Sequence, residues 1–448
     1  MQKENLFYFY ILIVTFLLSI FFTWLNFPGH ISWDSSIQLY EAKVSRSIDM
    51  HPPLMSMMLK ILGGGSIAST AFIFINYFSY FYLILLLLKK VRPSQFKIIN
   101  ILLVGFLIFN PVVMHYSAIV WKDVLQSTFI LFTIVFFVNN EKDIYHPTIK
   151  NLICLAFLLS LTALTKISGV VNFLAYFLFF AIRLRKEIRF RILTLFTILF
   201  FIFVVSINQI TEIEISPNPD KLASTAAPNF VLGYDIVGTI VFSNIKSSSF
   251  PLSYNEGEYR ELLKNYSTES ASLLLSDTIY NRLAQMDLKS HVKIWSFYFF
   301  NYTSSYLHHK FSVFKNFIFP DDRLSCIPLY VGVSGNNQYL NELNIHDDNV
   351  ERNKQIFKFF LKTPLFYHIS YFLIFLSCFA YTYQNRNKSS ASMTRFDINL
   401  VILMQIILTF IFYFFISLGC DFRYLYSCIG LSLVSIINSF SNYKNTKK

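Results

Sequence analysis

The chain has 448 residues, of which 54% are apolar and only 14% are charged, and its mean hydropathy is +0.48. Soluble domains carry roughly 25% charged residues, so this composition excludes an ordinary soluble protein. The net charge of +12 does not call for a nucleic-acid partner, because the cations lie largely in short loops between apolar runs, where they face anionic membrane lipids.

Long apolar runs recur along the chain, and a helix that crosses the hydrocarbon core needs about 20 such residues. The runs are continuous rather than alternating, so they predict helices. The first run, Leu6–Leu25, has no small-residue cleavage site after it and is predicted to be a retained anchor. Further spans are predicted at 66–88, 98–115, 124–138, 150–165, 168–182, 191–208, 364–384, 398–418 and 422–440. The predicted fold class is an all-α polytopic membrane protein with about ten transmembrane helices.

Alternate loops between these spans carry the Lys and Arg residues, which marks one side as cytoplasmic. The basic loops contain Lys89, Lys90, Arg92 and Lys97; Lys142 and Lys150; Arg183, Arg185, Lys186, Arg189 and Arg191; Arg386, Lys388 and Arg395; and Lys444, Lys447 and Lys448. With both termini inside, residues 26–65 and 209–363 lie outside. The predicted modules are a membrane module 1–208, an α-rich mixed extracytoplasmic domain 209–363, and C-terminal helices 364–448.

The loop after the first span combines helix breakers with polar side chains. Pro28 and Gly29 turn the chain as it leaves the bilayer, Trp33 is an aromatic anchor at headgroup level, and Asp34 follows directly. A carboxylate beside an aromatic ring near the membrane is partly desolvated and suits a general base. The structural alternative is that Asp34 or Ser35 caps a short helix over 35–42.

The same loop ends in His51-Pro52-Pro53-Leu54, where the prolines predict a turn that starts a helix over 54–62. An N-terminal span, an outer loop with an early Asp, and this His-Pro-Pro-Leu resemble the GT-C superfamily of lipid-carrier glycosyltransferases. Within it, the protein O-mannosyltransferases and the lipid A aminoarabinose transferases are the most similar. The resemblance is strongest over residues 1–140 and its motifs are short.

The resemblance implies a bacterial inner-membrane enzyme that takes a sugar from a polyprenyl-phosphate donor at the outer face. The acceptor would be a glycan, a lipid or a protein. Asp34 would be the general base, and Trp33, Gln38 and His51 would contact substrate. Asp123, in Trp121-Lys122-Asp123, matches a second acidic residue of the family by position. This loop has one carboxylate where some relatives have two, so no metal site is predicted, although a divalent cation is left open.

Three cations are candidates for the donor phosphate: Lys122, Lys166 and Arg423. Lys122 has the alternative of pairing with Asp123 in an interfacial belt, and Lys166, in a short apolar hairpin, has the alternative of snorkelling to water. Arg423 lies two residues after Asp421, a spacing that is unfavourable for a local pair on a helix, and a guanidinium holds phosphate by two parallel bonds.

The segment 209–363 adds polar groups to which no catalytic role is assigned. Tyr306 to Lys310 are predicted to lie at the membrane interface, Asp235 is predicted to cap or turn the chain, and the pair His308-His309 is not spaced for zinc on one helical face. Asp321, Asp322 and Arg323 complete this group. Cys326 is the one cysteine of the segment, and a disulfide requires Cys420 to approach it.

Two other functions stay open at the level of sequence. An O-antigen-type polymerase or ligase has ten or more spans and a large outer loop with functional Arg and His, for which His308 and Arg323 are the candidates. A transporter or flippase of lipid-linked glycans needs charged or helix-breaking residues near mid-span, and the predicted spans are poor in both.

Overall fold

A computed structural model describes residues 2–47, 51–91, 98–141, 144–217, 223–248, 251–320, 326–346 and 358–441. Every regular element in these ranges is a helix, and β-type pairing occurs there only as isolated bridges. The all-α prediction is therefore confirmed. The chain forms two compact units, the first made of 1–217, 329–409 and 425–448 and the second of 218–328 and 410–424. The predicted module boundaries stay predictions.

The first unit contains the N-terminal helices. They are α1 Gln2–Leu25, α2 Trp33–Val44, α3 Pro53–Ile61, α4 Gly65–Leu88, α5 Ile98–Ile108, α6 Pro111–Tyr116, α7 Lys122–Asn139, α8 Ile149–Thr165, α9 Val170–Arg183 and α10 Lys186–Glu214. A 3₁₀ turn, Ile167–Gly169, connects α8 to α9.

The second unit follows with α11 Ala223–Ser243, α12 Glu256–Asn265, α13 Thr278–Ala284, α14 Leu288–Asn301 and α15 Thr303–Ile318. The chain then returns to the first unit with α16 Asn337–Glu342, α17 His368–Asn385, α18 Ser390–Ile416 and α19 Tyr426–Phe440. Helix α18 runs from the first unit into the second, and a 3₁₀ segment, Phe422–Leu425, precedes α19.

Five of the described helices are long and apolar enough to cross a membrane. They contain the segments Leu6–Leu25, Gly65–Leu88, Lys122–Asn139, Ile188–Glu214 and Ser390–Ile416. Only 11% of the most apolar window of α10 is buried. Side chains such as Phe201, Ile202 and Ile213 are exposed, as in a helix that contacts lipid, whereas Phe196 and Phe200 are buried. These helices are compatible with a membrane protein, whereas the predicted count of about ten spans is not confirmed.

The predicted span 98–115 shows where the sequence and the structure differ. Two helices, α5 and α6, occupy it, and they are separated at Asn110. Pro111 has no backbone N–H and therefore begins a helix more readily than it continues one. The side chain of Asn110 accepts a hydrogen bond from the Val113 backbone N–H at 3.2 Å and caps α6.

The short helices α2 and α3 pack against α4 through a buried apolar cluster in the first unit. Its members include Leu39, Met55, Leu59, Phe72 and Ile73. Each of these side chains is at most 2% exposed, so α2, which contains Asp34, and α3, which follows His51, rest on a packed core. This core supports the backbone from which the two side chains extend.

Candidate functional site

Backbone hydrogen bonds fix the loop that leads into α2. The His30 N–H donates to the Ala118 carbonyl at 2.8 Å, the Val120 N–H donates to the His30 carbonyl at 2.9 Å, and the Ile31 N–H donates to the Gly332 carbonyl at 2.9 Å. The turn before it uses Gly29 at φ +109°, where a Cβ atom would lie 3.0 Å from Ser69 Oγ. The start of α2 is thereby held beside the start of α7.

The N-terminus of α2 is capped by Ser32. The Ser32 hydroxyl accepts from the Ser35 backbone N–H at 3.4 Å, and the Ser35 hydroxyl accepts from the Ser32 N–H at 3.2 Å. The Trp121 indole N–H donates to the same Ser32 hydroxyl at 2.7 Å. The structural alternative that made Asp34 the cap is wrong, because Asp34 lies inside the first turn and Ser32 already provides the capping oxygen. Ser35 takes part as the reciprocal partner of the capping box.

Asp34 faces His51 across the loop. Its side chain is 31% exposed, and Asp34 Oδ1 lies 3.9 Å from His51 Nε2. His51 stands just before α3, which starts at Pro53 as the proline pair predicts. The structure therefore brings together a partly exposed carboxylate on α2 and a largely buried imidazole just before α3.

Lys122 approaches the other ring nitrogen of His51. Its Nζ lies 2.5 Å from His51 Nδ1, although the two residues are 71 positions apart in sequence. An ammonium group can only donate, so Nδ1 is the acceptor. A neutral imidazole that accepts at Nδ1 carries its proton at Nε2, the nitrogen nearest to Asp34. The order of contacts is Asp34, His51, Lys122.

An ion pair between Asp123 and Lys166 adjoins these contacts, because Asp123 directly follows Lys122 in the chain. The Asp123 side chain, 3% exposed, forms an ion pair with Lys166, which is 14% exposed. Gln126 holds the lysine's segment by donating to the Lys166 carbonyl at 3.2 Å. Lys166 is thus paired with a carboxylate, and the alternative that it snorkels alone to water is wrong. We refer to Asp34, His51, Lys122, Asp123 and Lys166 as the charged cluster.

The two carboxylates of the charged cluster differ in their environment. Asp34 is the accessible one, and Asp123 is almost fully buried against Lys166. With His51 neutral, the two aspartates and two lysines sum to zero charge. Trp33 is 56% exposed, whereas Gln38 is 1% exposed, on the inward side of α2. An acceptor that reaches the cluster would therefore meet Asp34 and Trp33 more readily than Gln38.

Arg423 lies in the second unit, in the 3₁₀ segment before α19. Its Nε lies 2.8 Å from Asp421 Oδ2, and its backbone N–H donates to Asp421 Oδ1 at 3.1 Å. The expectation that residues two apart would not pair is wrong here, because Asp421 precedes a tight 3₁₀ turn rather than occupying an α-helix. The same segment lines a cavity of about 340 Å³ in the second unit.

The second unit also contains a buried polar network. Asp235 in α11 forms an ion pair with Lys310 of α15, and the Lys310 ammonium donates to the Phe415 carbonyl at 2.8 Å. His309 Nε2 lies 3.5 Å from the same carboxylate. Lys310 and His309 are fully buried, so the predictions that Lys310 lies at the membrane interface and that Asp235 caps or turns the chain are wrong. Burial lowers the pKa of His309.

The sequence contains one indication of this network, the position of Asp235. An Asp within the largely apolar helix α11 is costly unless a cation meets it, which makes Lys310 a natural partner. The two residues are far apart in sequence, however, and several other cations were available. Asp321, Asp322 and Arg323 lie outside the residues that the structure describes.

A disulfide joins Cys326 and Cys420, with their Cα atoms 5.0 Å apart, and so the approach of Cys420 that the sequence required is present. No group of three or more His, Cys, Asp or Glu residues that could hold a metal ion occurs within the described ranges.

No family model matches the chain, and neither a curated protein nor a solved structure is significantly similar to it.

Proposed function

We propose that the protein is a membrane glycosyltransferase that moves a sugar from a polyprenyl-phosphate-linked donor to a glycan, lipid or protein acceptor at the outer face of the membrane. One observation carries the proposal: three separate segments bring Asp34 next to His51 and Lys122 next to the same His51. An accessible carboxylate beside cations is what a reaction needs when it takes a proton from an acceptor and releases a phosphate.

Asp34 is the general base in this proposal. As the acceptor oxygen forms its bond to the anomeric carbon, the hydroxyl proton passes to the Asp34 carboxylate. The bond between the anomeric carbon and the phosphate oxygen breaks, and its electron pair leaves with the phosphate. Attack opposite the leaving group inverts the anomeric configuration. His51 lies beside this carboxylate, with Nε2 3.9 Å from Asp34 Oδ1, and does not donate the reacting proton.

Lys122 and Lys166 stabilise the negative charge that develops on the leaving phosphate. Ammonium groups in a partly buried site act more strongly than in water because the local dielectric is lower. Asp123 acts as a positioning residue that holds Lys166, and Trp33 and His51 line the acceptor side. The predicted substrate contact of Gln38 is not part of this proposal, because its side chain is buried on the inward side of α2. The phosphate role for Arg423 stays a prediction and is tested separately below.

The proposal includes a location and a topology. The protein lies in a bacterial inner membrane with about ten spans, both termini cytoplasmic and the segment 209–363 outside. Five apolar helices and a disulfide between Cys326 and Cys420 support it, since disulfides persist on the oxidising side of the membrane.

The direct test compares cells that produce the wild-type protein, Asp34→Asn, Glu342→Gln or no protein. Lipid-linked sugars and surface glycans are extracted and quantified by mass spectrometry. Loss of a general base lowers transfer roughly 10²–10⁴-fold, so Asp34→Asn should accumulate donor as the cells without protein do. Glu342 is an exposed carboxylate in the same unit, and its variant should behave as wild type.

Two other results would point elsewhere. Normal transfer by a normally inserted Asp34→Asn protein, together with loss of transfer in His308→Ala, would favour a polymerase or ligase. Redistribution of an unmodified lipid-linked glycan across the membrane, with no covalent product, would favour a transporter.

A further inference from the structure

The second unit contains a cavity to which neither the charged cluster nor the proposed chemistry gives a role. Its volume of about 340 Å³ falls within the range of roughly 300–1,000 Å³ that is usual for small-molecule sites. The residues that line it and carry the argument are Phe230, Glu269, Tyr280, Asp421, Arg423 and Tyr424. All of them belong to the second unit.

The cavity wall is built from three chain segments that are tied together. The Cys420 N–H donates to the Glu269 carbonyl at 2.9 Å, the Ala271 N–H donates to the Leu418 carbonyl at 2.9 Å, and the Phe422 N–H donates to the Cys326 carbonyl at 2.9 Å. The disulfide between Cys326 and Cys420 also links the segment at Cys326 to the segment of 418–422. A wall held by backbone bonds and a covalent link is formed before a ligand arrives, which lowers the ordering cost of binding.

The approach of these segments depends on Gly419. Its φ is +144°, and a Cβ atom there would lie 2.3 Å from the Glu269 carbonyl oxygen. Any other residue would push the segment of 269–271 away from that of 418–422. The close approach of these two segments therefore requires glycine at position 419.

Aromatic rings in the lining are held in place by their neighbours. Phe230 and Tyr280 stack with ring centroids 6.1 Å apart, and Tyr424 stacks on Tyr413 with centroids 5.1 Å apart and an angle of 3° between the rings. Fixed aromatic rings bind flat, weakly polar faces well, because little side-chain freedom is lost on binding.

The charges in the lining select for hydrogen-bond donors. Glu269 and Asp421 are negative and Arg423 is positive, and Arg423 Nε already lies 2.8 Å from Asp421 Oδ2. Among the lining residues that the structure describes, the formal charges sum to minus one, which disfavours a phosphate. Carboxylates only accept hydrogen bonds, so they favour a ligand rich in hydroxyl or amino groups.

We infer that this cavity binds a carbohydrate that is neutral or carries an amino group. A sugar ring has an apolar face of C–H bonds for the aromatic side chains and a rim of hydroxyl groups for the carboxylates and the guanidinium. The identification of this carbohydrate as part of the acceptor rests on the proposed transferase; the binding itself does not.

The experiment uses the full chain in lipid nanodiscs, applied to an array of neutral, amino and acidic mono- to tetrasaccharides. Wild type should bind neutral or amino glycans. Glu269→Gln should weaken that binding about tenfold, the cost of a lost hydrogen bond to a charged group. Ser272→Trp, at an exposed lining position, should block it. Glu256→Gln, an exposed carboxylate on α12 of the same unit, should bind as wild type does.

Asp421→Asn gives the sharper result, because it removes the negative partner of Arg423. Its preference should move toward acidic glycans. The inference is overturned if wild type binds no neutral or amino glycan, if it prefers acidic glycans or inorganic phosphate through Arg423, or if Ser272→Trp leaves binding intact. Preference for phosphate would instead support the predicted donor role of Arg423.

The same array separates this inference from the proposed function. Asp34→Asn, in the other unit, should lose sugar transfer and keep glycan binding. Binding without any transfer by wild type would contradict the transferase and leave the cavity assignment standing.

Discussion

At the scale of single residues, His30 in the loop before α2 helps to hold the start of α2 beside the start of α7. His30 is buried beside the chain crossing at Ala118 and Val120, and burial lowers its pKa to about 4 from an ordinary value of 6.5. The folded protein therefore keeps His30 neutral over a pH range in which the unfolded chain protonates it. The stability that depends on this neutral histidine is present above pH 6.5 and is lost as the pH falls toward 4.

This gives a prediction for the pH dependence of stability. Thermal unfolding in nanodiscs between pH 7 and pH 4 should show that wild type loses up to about 3 kcal/mol more than His30→Gln, from about 1.4 kcal/mol for each unit of pKa shift. Parallel curves for the two proteins would mean that folding does not lower the pKa of His30.

The residues of the charged cluster show what sequence can and cannot predict. Asp34, His51, Lys122, Asp123 and Lys166 are recognisable by type and position, since a charge at the end of an apolar span needs a reason. Their pairing is not predictable, because Lys122 has Asp123 beside it in the chain and yet donates to His51, 71 positions away. Tertiary packing of α2, α3 and α7 decides between such partners.

At the scale of elements, the positions of prolines predict helix starts well and helix interruptions less well. Pro53 begins α3 as predicted, but Pro111 divides a predicted span into α5 and α6. A hydropathy average over 98–115 does not show this division, because both halves of the run are apolar. The interruption depends on one missing N–H and on the Asn110 cap.

The disulfide between Cys326 and Cys420, which joins the loop of Cys326 to the segment before α19, gives a test at the scale of elements. Peptide mapping without reduction should recover Cys326 and Cys420 as one linked pair, and alkylation after unfolding should modify Cys154, Cys378 and Cys428, which are free thiols in the structure. The link should persist in protein purified from the membrane, because the proposed outer location is oxidising. Alkylation of Cys326 or Cys420 before reduction would contradict both the pairing and that location.

For the whole molecule, composition alone predicted helices in a membrane, and the five apolar helices agree with it. The number of crossings was less predictable, because α8 and α9 have 17 and 14 residues, and a helix of that length either spans with distortion of the bilayer or lies within the protein. The distribution of Lys and Arg predicts on which side of the membrane each loop lies. This prediction can be tested without knowing the number of spans.

The topology prediction is tested by single cysteines introduced after Cys154, Cys378 and Cys428 are changed to serine. Asn337→Cys, predicted outside, should react with a membrane-impermeant maleimide in intact cells. Lys388→Cys, predicted inside, should react only after the cells are permeabilised. Both positions are exposed, so access to the reagent depends on the side of the membrane. Reaction of both in intact cells would contradict the proposed orientation.

The central claim is that Asp34 accepts a proton during sugar transfer from a lipid phosphate. Its most direct measurement uses purified protein in vesicles that contain a radiolabelled polyprenyl-phosphate sugar and a lipid extract that supplies the acceptor. Wild type and Glu342→Gln should form product with inverted anomeric configuration, and Asp34→Asn should be slower by roughly 10²–10⁴-fold at equal thermal stability. Equal rates for Asp34→Asn and wild type would contradict the account.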